Sequence, residues 1–260
     1  MILQGNEMGA GPPVAMLHGL LGQARNFGAV QRRISAGRRV IALDLRNHGA
    51  SLHASGMSYA AMAADVVETL GAMGALPCAL IGHSMGGKVA MATALMRPDA
   101  VARVLVADIA PVPSAPRFAP IIAAMRGMAL REGMTRGEAD AALAGAVPEA
   151  GMRGFLLQNM RFGAMPAWKV GLAEIEAGLD DILGWPDFGA VYAGPTLFLG
   201  GARSDYILPE HRPVIRALFP QARFAVLRNA GHWLHADNPE GFIGVLDAFL
   251  AAYPPDGVLG

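Results

Sequence analysis

The sequence has little charge, and neither sign is in excess. Charged residues make up 16% of the 260 residues, against about 25% in typical soluble domains. The 21 basic side chains balance the 21 acidic ones. No net field would attract nucleic acid or an anionic membrane surface, so we expect neither as a partner. Hydrophobic residues make up 53% of the chain, which predicts a compact globule with considerable apolar surface.

Cysteine and long apolar runs are also scarce. Cys78 is the single cysteine, so an intramolecular disulfide is excluded, and its place beside an apolar run predicts a small buried residue. The sequence contains no run of 18 consecutive apolar residues, so no transmembrane helix is expected. Residues 1–13 lack the cationic leader and apolar core of a signal peptide. We therefore expect a cytoplasmic protein without a membrane span.

Short apolar runs typical of buried strands alternate with helical patterns along most of the chain. The predicted strands are the runs at residues 14–17, 40–43, 79–82, 104–107, 196–199 and 224–227. This alternation predicts an α/β fold, in which a mostly parallel central sheet carries helices on both faces, in one domain over residues 1–260. In such sheets, ligands bind at the C-terminal ends of the strands. The polar residues that follow predicted strands there are His18, Asp44, Ser84, Asp108, Asp205 and His232.

The alternation stops at about residues 114–192. This stretch contains no convincing strand, but it has helical patches rich in Ala, Met and Gly, separated by prolines. The predicted helical patches lie at residues 121–130, 136–144, 155–160 and 172–183. Because strands and helices alternate again afterwards, we interpret the stretch as a helical insertion within the single domain.

A nucleophile motif follows the predicted strand at residues 79–82. The sequence Gly82-His83-Ser84-Met85-Gly86 is Gly-x-Ser-x-Gly between a strand and a helix, the context in which the motif predicts a catalytic serine. A tight turn there would hold the Ser84 hydroxyl clear of the sheet. The helix N-terminus behind it would favour developing negative charge.

A serine nucleophile needs a base, and the base needs a third group to orient it. His232, in a Gly-His loop after the last predicted strand, is the best candidate base. His83 lies inside the turn and His211 heads a surface helix, and the spacing of His232 and His235 is only weak evidence for a metal site.

Two aspartates remain open as the orienting acid. Each follows a predicted strand, Asp108 after the strand next to the nucleophile and Asp205 after the penultimate strand. The chain order serine, acid, histidine fits either residue. Asp205 is slightly favoured by position.

These motifs resemble the α/β-hydrolase family from end to end. More narrowly, they resemble small bacterial esterases akin to abhydrolase-domain-containing protein 11. The segments that carry the resemblance are residues 17–22 (LHGLLG), 44–51 (DLRNHGAS), 82–88 (GHSMGGK), 108–111 (DIAP) and 231–237 (GHWLHAD).

The resemblance implies further roles for named residues. The backbone N–H groups of Leu20 and Met85 would form an oxyanion hole. In the subgroup the aspartate of Asp-Ile-Ala-Pro belongs to the triad, which points to Asp108, and Ser204 matches a serine near the usual acid position. Asp205 follows that serine and lies at the position that the acid usually has in the superfamily. The choice between Asp108 and Asp205 therefore stays open. The helical insertion would form a lid over an apolar acyl pocket.

The predicted function is hydrolysis of a small-molecule carboxylic ester or thioester, with a small to medium acyl group, through an acyl-enzyme. No cofactor or metal is required, and the protein is expected to be a monomer or a homodimer. Ser84 argues against dehalogenases and epoxide hydrolases of this fold, which need a carboxylate nucleophile. The alternatives are a carbon–carbon bond hydrolase of the same fold and a weakly catalytic small-molecule receptor.

Overall fold

The computed structural model describes residues 1–252, and residues 253–260 of the predicted domain lie outside the described residues. The strands are β1 Gly5–Met8, β2 Pro13–Leu17, β3 Arg39–Leu43, β4 Cys78–His83, β5 Val101–Ala107, β6 Met160–Arg161, β7 Ala167–Trp168, β8 Thr196–Gly201 and β9 Ala222–Leu227. The α-helices are α1 Gly28–Ile34, α2 Tyr59–Ala72, α3 Met85–Met96, α4 Ala119–Gly127, α5 Arg136–Leu143, α6 Ala150–Leu156, α7 Leu172–Ala177, α8 Leu179–Leu183, α9 Arg212–Leu218, α10 Leu234–Asp237 and α11 Pro239–Ala251.

The main sheet has seven strands in the order β1-β3-β2-β4-β5-β8-β9. All neighbouring pairs in it are parallel except β1 and β3, which are antiparallel. The apolar runs predicted as strands all lie within β2, β3, β4, β5, β8 and β9. The edge strand β1 was not predicted, because its sequence Gly-Asn-Glu-Met is polar and its regularity comes from pairing with β3.

Helices cover both faces of the sheet, as predicted. On one face, α2 and α3 bury apolar side chains such as Met62, Val66 and Val89 against the strands. On the other face, α1 and α11 pack theirs, including Ile34 and Leu246, into a second core. The two layers hold the C-terminal ends of the parallel strands at one rigid edge, where the predicted site residues lie. No helix within residues 1–252 is both long and apolar enough to span a bilayer.

The segment at residues 114–192 contains helices α4 to α8, but it also contains a strand pair that the sequence did not predict. Strands β6 and β7 pair antiparallel over two residues each. The predicted helix at 172–183 is divided into α7 and α8 at Gly178. A Cβ atom there would lie 2.5 Å from the Cβ of Met57, so the close approach of the core requires glycine at the break.

The segment at residues 114–192 is anchored to the sheet edge by a buried amide. Asn159 is fully buried, and its Nδ2 donates to the Leu21 carbonyl at 2.6 Å. Its Oδ1 accepts a hydrogen bond from Gln23 Nε2 at 3.3 Å. The segment therefore packs directly on the loop after β2, next to the strand ends.

Candidate active site

Ser84 occupies a strained turn between β4 and α3. Its backbone has φ 53° and ψ −122°, a left-handed conformation that costs a non-glycine residue about 1–3 kcal/mol. A Cβ at Gly82 would lie 2.2 Å from the Gly86 carbonyl oxygen, and one at Gly86 would lie 2.3 Å from the Leu17 carbonyl oxygen. The two glycines of the motif therefore let three backbone segments meet, and the turn presents the Ser84 hydroxyl at the sheet edge.

His232 lies between Ser84 and Asp108. Its Nε2 is 3.0 Å from the Ser84 Oγ, and its Nδ1 is 2.8 Å from Asp108 Oδ2. An ionised carboxylate only accepts hydrogen bonds, so Nδ1 carries the ring proton of the neutral histidine. This tautomer leaves Nε2 free to accept the proton of the Ser84 hydroxyl.

Asp108 is fully buried and held by several donors. It follows β5 with a positive φ of 55°. Its Oδ1 accepts the Gly201 N–H at 2.9 Å, and its Oδ2 accepts a short hydrogen bond from the Ser204 hydroxyl as well as the bond from His232. These hydrogen bonds replace the water that a buried carboxylate loses, and they fix the orientation of the oxygen that faces the histidine.

Asp205, which position favoured as the orienting acid, forms no hydrogen bond with His232, whose Nδ1 pairs with Asp108. Its carboxylate is 56% exposed and forms a bidentate ion pair with Arg117, with N–O distances of 3.0 and 2.5 Å. The hydrogen bond to Arg117 holds the pKa of Asp205 below its ordinary value. The preference for Asp205 is therefore corrected. The loop after β8 turns the Ser204 hydroxyl towards Asp108, and the next side chain points outwards.

The two residues expected to supply oxyanion donors flank the nucleophile. Met85 is the first residue of α3, so its N–H has no acceptor within the helix. Leu20 lies in the loop after β2. Both are buried, and both line the same cleft as Ser84.

A neutral histidine fixes the start of the Leu20 loop. His18 Nε2 accepts the Leu45 N–H at 3.0 Å, so the ring proton is on Nδ1, which donates to the Gly19 carbonyl at 2.8 Å. Burial lowers the pKa of His18 to about 4. The ring is therefore uncharged near neutral pH and acts as a structural brace.

His48 braces the end of the same loop in the same way. Its Nε2 accepts the Leu21 N–H at 3.1 Å, and its Nδ1 donates to the Arg46 carbonyl at 2.8 Å. Burial lowers the pKa of His48 to about 3. Because the two histidines fix the backbone on both sides of Leu20, the loop cannot move without breaking buried hydrogen bonds.

Three further histidines, His83, His211 and His235, lie outside the hydrogen-bonded chain from Ser84 to Asp108. His83 Nε2 donates to the His232 carbonyl at 2.7 Å, and burial holds the pKa of His83 well below its ordinary value. His211 Nδ1 accepts the Leu208 N–H at 3.1 Å. Burial lowers the pKa of His235 to about 4. Among residues 1–252, no group of three or more His, Cys, Asp or Glu side chains is placed to hold a metal ion.

Sequence reasoning missed two residues beside the site. Tyr206 stacks on the His232 imidazole, and Lys88 is buried on α3 one turn beyond Ser84. A lysine among the apolar residues of α3 was a visible signal, because such a helix rarely buries a charge without partners. The position of Tyr206 had no such signal, since it depends on how the loop after β8 folds.

Two clefts meet at Ser84. One is lined by His232, Trp233 and Phe155. The other lies beside Met85 and Lys88. A nucleophile, a base and a buried carboxylate at the junction of two clefts can carry out acyl transfer on a substrate that extends in both directions.

Comparisons with known proteins show which family the chain belongs to. The family model described as "Alpha/beta hydrolase family" matches residues 14–245. The sn-1-specific diacylglycerol lipase ABHD11 of Mus musculus is 43% identical over 249 residues, which cover 92% of this chain and 81% of the mouse protein. Esterase YbfF of Escherichia coli (strain K12) is 34% identical, and the match covers 92% of each chain.

A solved structure gives the same result. The structure described as a marine microorganism esterase has a TM-score of 0.92 and 35% sequence identity, and the match covers 96% of this chain and 99% of that chain. The resemblance found in the sequence motifs is thus confirmed by matches along nearly the whole chain. The protein therefore belongs to the alpha/beta hydrolase family, among its carboxylesterase-like enzymes.

Proposed function

We propose that this enzyme hydrolyses carboxylic esters, and thioesters of the same acyl groups, through a Ser84-His232-Asp108 triad. The observation that carries the proposal is the continuous relay from the Ser84 Oγ through both ring nitrogens of His232 to Asp108 Oδ2, with distances of 3.0 and 2.8 Å. The relay has the donor and acceptor order that a serine nucleophile requires.

In the first half of the reaction, the Ser84 Oγ attacks the acyl carbonyl carbon while its proton passes to His232 Nε2. The new C–O bond moves the carbonyl electron pair onto oxygen. When this tetrahedral intermediate collapses, the bond to the leaving group breaks, and Nε2 gives its proton to the departing oxygen or sulfur. Asp108 stabilises the imidazolium that exists between these two transfers.

The N–H groups of Leu20 and Met85 stabilise the oxyanion of the intermediate. Removing one such donor costs about 3–4 kcal/mol in known enzymes. The braces at His18 and His48 support this role, because a preorganised donor does not have to reorient as charge develops.

In the second half, water replaces the leaving group. His232 Nε2 removes a proton from the water as its oxygen attacks the acyl carbon of the Ser84 ester. Collapse of this second intermediate releases the carboxylic acid, and the proton returns to the Ser84 Oγ. The cycle restores the enzyme, and its proton balance closes without a cofactor.

The inserted segment at residues 114–192 supplies a lid for this site. Phe118 and Phe155 from the segment line the clefts around Ser84. Apolar walls of this kind favour an apolar acyl group, which we propose is small to medium in size. The mouse relative is named for cleavage of diacylglycerol at sn-1, so diacylglycerol and simple butyrate esters form the first pair of substrates to compare.

Labelling with a fluorophosphonate probe tests the proposal. The wild type should be labelled, and the Ser84→Ala variant should be neither labelled nor able to turn over p-nitrophenyl butyrate. Absence of wild-type labelling would favour a receptor built on this fold. Equal labelling of both proteins would exclude Ser84 as the nucleophile.

A further inference from the structure

A substrate that reacts with Ser84 would place its opposite ends in the two clefts. His232 must pass its proton to the leaving group, so the leaving group lies on the His232 side. That side is the cleft lined by His232 and Trp233. The acyl chain is therefore directed into the other cleft, beside Met85 and Lys88, which we call the acyl arm.

The acyl arm ends at the C-terminus of α8. Two α8 residues, Ile182 and Leu183, line the arm. Their backbone carbonyls accept hydrogen bonds from buried side chains. The Tyr59 hydroxyl donates to the Ile182 carbonyl at 2.5 Å. Lys88 Nζ donates to the carbonyls of Leu183 at 3.3 Å and of Gly184 at 2.9 Å. Three successive carbonyls are thus fixed to α2 and α3.

Lys88 has no hydrogen-bonding capacity left for a ligand. Its third contact is the Ser114 hydroxyl at 3.0 Å, and only 1% of the residue is exposed. An ammonium group has three N–H donors, and here each has an acceptor. Although the lysine lies on α3, the helix that follows the nucleophile, it therefore offers no free donor to a carboxylate on the substrate.

The leaving-group side is larger by contrast. Beyond His232 and Trp233, the cleft continues into a groove along α6, lined by Phe155 and Met152. The groove reaches solvent, so it does not limit the length of a leaving group.

We propose that Lys88 and Tyr59 are positioning residues that hold the end of α8 as the end wall of the acyl arm. They restrict the enzyme to short, neutral acyl groups and leave the leaving group unrestricted in size. This inference rests on the proposed ester hydrolysis, and it assigns the substrate class of that reaction.

A chain-length series of p-nitrophenyl esters tests the end wall. The wild type should prefer butyrate to decanoate. In Lys88→Met, which keeps the bulk of the side chain and removes its donors, the decanoate-to-butyrate ratio of kcat/KM should rise by about 10-fold or more. The KM for decanoate should fall, which general damage to the triad would not produce. The chain's other lysine provides the matched control, since Lys169→Met should leave the ratio unchanged.

Two further variants, Tyr59→Phe and Ser114→Ala, each remove one hydroxyl that hydrogen-bonds to Ile182 or Lys88. They should raise the decanoate-to-butyrate ratio of kcat/KM by a smaller factor. These two variants decide the matter if Lys88→Met does not fold. An unchanged ratio in folded variants would overturn the inference. In that case, the proposed ester hydrolysis would still stand if the wild type hydrolyses the butyrate ester and Ser84→Ala does not. If the wild type does not hydrolyse the butyrate ester at all, the proposed function itself is contradicted.

A charged acyl group tests whether Lys88 is fully occupied. The p-nitrophenyl half-ester of succinate has an acyl chain similar in length to butyrate and ends in a carboxylate. The wild type should hydrolyse butyrate with a kcat/KM about 10-fold higher or more, because no free donor stabilises the buried carboxylate. A preference for the succinate half-ester would overturn this part of the inference.

Discussion

The phenol ring of Tyr206 lies nearly parallel to the imidazole of His232, with ring centroids 3.9 Å apart and an angle of 21° between the planes. The guanidinium of Arg117 lies over the same phenol at 5.1 Å from the ring centre and pairs with Asp205. Asp205 was expected from its position to orient His232 directly. It instead pairs with Arg117, and Arg117 contacts the Tyr206 ring that stacks on His232.

This stack predicts a role for Tyr206 in positioning the base. An aromatic pair contributes about 0.5–1.5 kcal/mol beyond its buried area, so Tyr206→Ala should lower kcat about 2- to 10-fold with little change in KM. Tyr206→Phe keeps the ring and should retain most of the activity. Steady-state kinetics on p-nitrophenyl butyrate measure both, and an equal loss in the two variants would contradict the stacking role.

The sequence was most informative where local chemistry determines the structure. The glycines at 82 and 86 can be identified from the motif, and the structure shows the backbone contacts that require them. The six predicted strands are apolar because both faces of the sheet are covered. Strand β1 and the β6–β7 pair escaped prediction, since their hydrogen bonds come from partner strands and not from their own composition.

The choice between the two aspartates could not be made from local sequence. It depends on the register of β5 and β8, which places the Gly201 N–H and the Ser204 hydroxyl against the carboxylate of Asp108. Contacts of this kind join segments about 90 residues apart. The hydrophobic periodicity of the sequence does not predict them. The family resemblance pointed to Asp108, whereas positional reasoning favoured Asp205.

The close backbone contacts at the nucleophile turn predict that Gly86→Ala is strongly disruptive. A Cβ there would lie 2.3 Å from the Leu17 carbonyl oxygen and 2.5 Å from the His18 carbonyl oxygen, where the loop that contains Leu20 begins. We expect destabilisation of about 1–3 kcal/mol or more, together with a loss of activity. Chemical denaturation and esterase assays measure the two effects.

Gly137→Ala is the matched control for that change. Gly137 lies in α5, with no heavy atom within 4 Å of a Cβ built there. Replacing a helical glycine by alanine stabilises a protein by about 0.5–1 kcal/mol, so this variant should be at least as stable as the wild type and fully active. If both glycine variants behave alike, the packing argument is wrong.

The buried neutral histidines predict a loss of stability in mild acid. The folded-state pKa of His48 is about 3, below its ordinary value of 6.5. Between these values the unfolded chain binds more protons than the folded one, so the free energy of unfolding falls as the pH decreases through this window. Urea unfolding at pH 7 and pH 5 should show the decrease.

His48→Gln should make this pH dependence shallower. Glutamine can still accept the Leu21 N–H but does not titrate, so the slope should decrease by up to about 1.4 kcal/mol per pH unit. His53 is exposed, and His53→Gln should leave the slope unchanged. An identical slope in wild type and His48→Gln would show that His48 is not the neutral brace described above.

The rate of acylation in Asp108→Asn and Asp205→Asn tests the central claim most directly. Both substitutions remove one carboxylate and keep the shape of the side chain, so each variant controls for the other. With Asp108 orienting His232, Asp108→Asn should reduce fluorophosphonate labelling of Ser84 and kcat/KM for p-nitrophenyl butyrate by roughly 10³- to 10⁴-fold. Asp205→Asn, which loses only an exposed ion pair, should stay within a few-fold of the wild type. Severe loss in Asp205→Asn with near-normal Asp108→Asn would contradict the account.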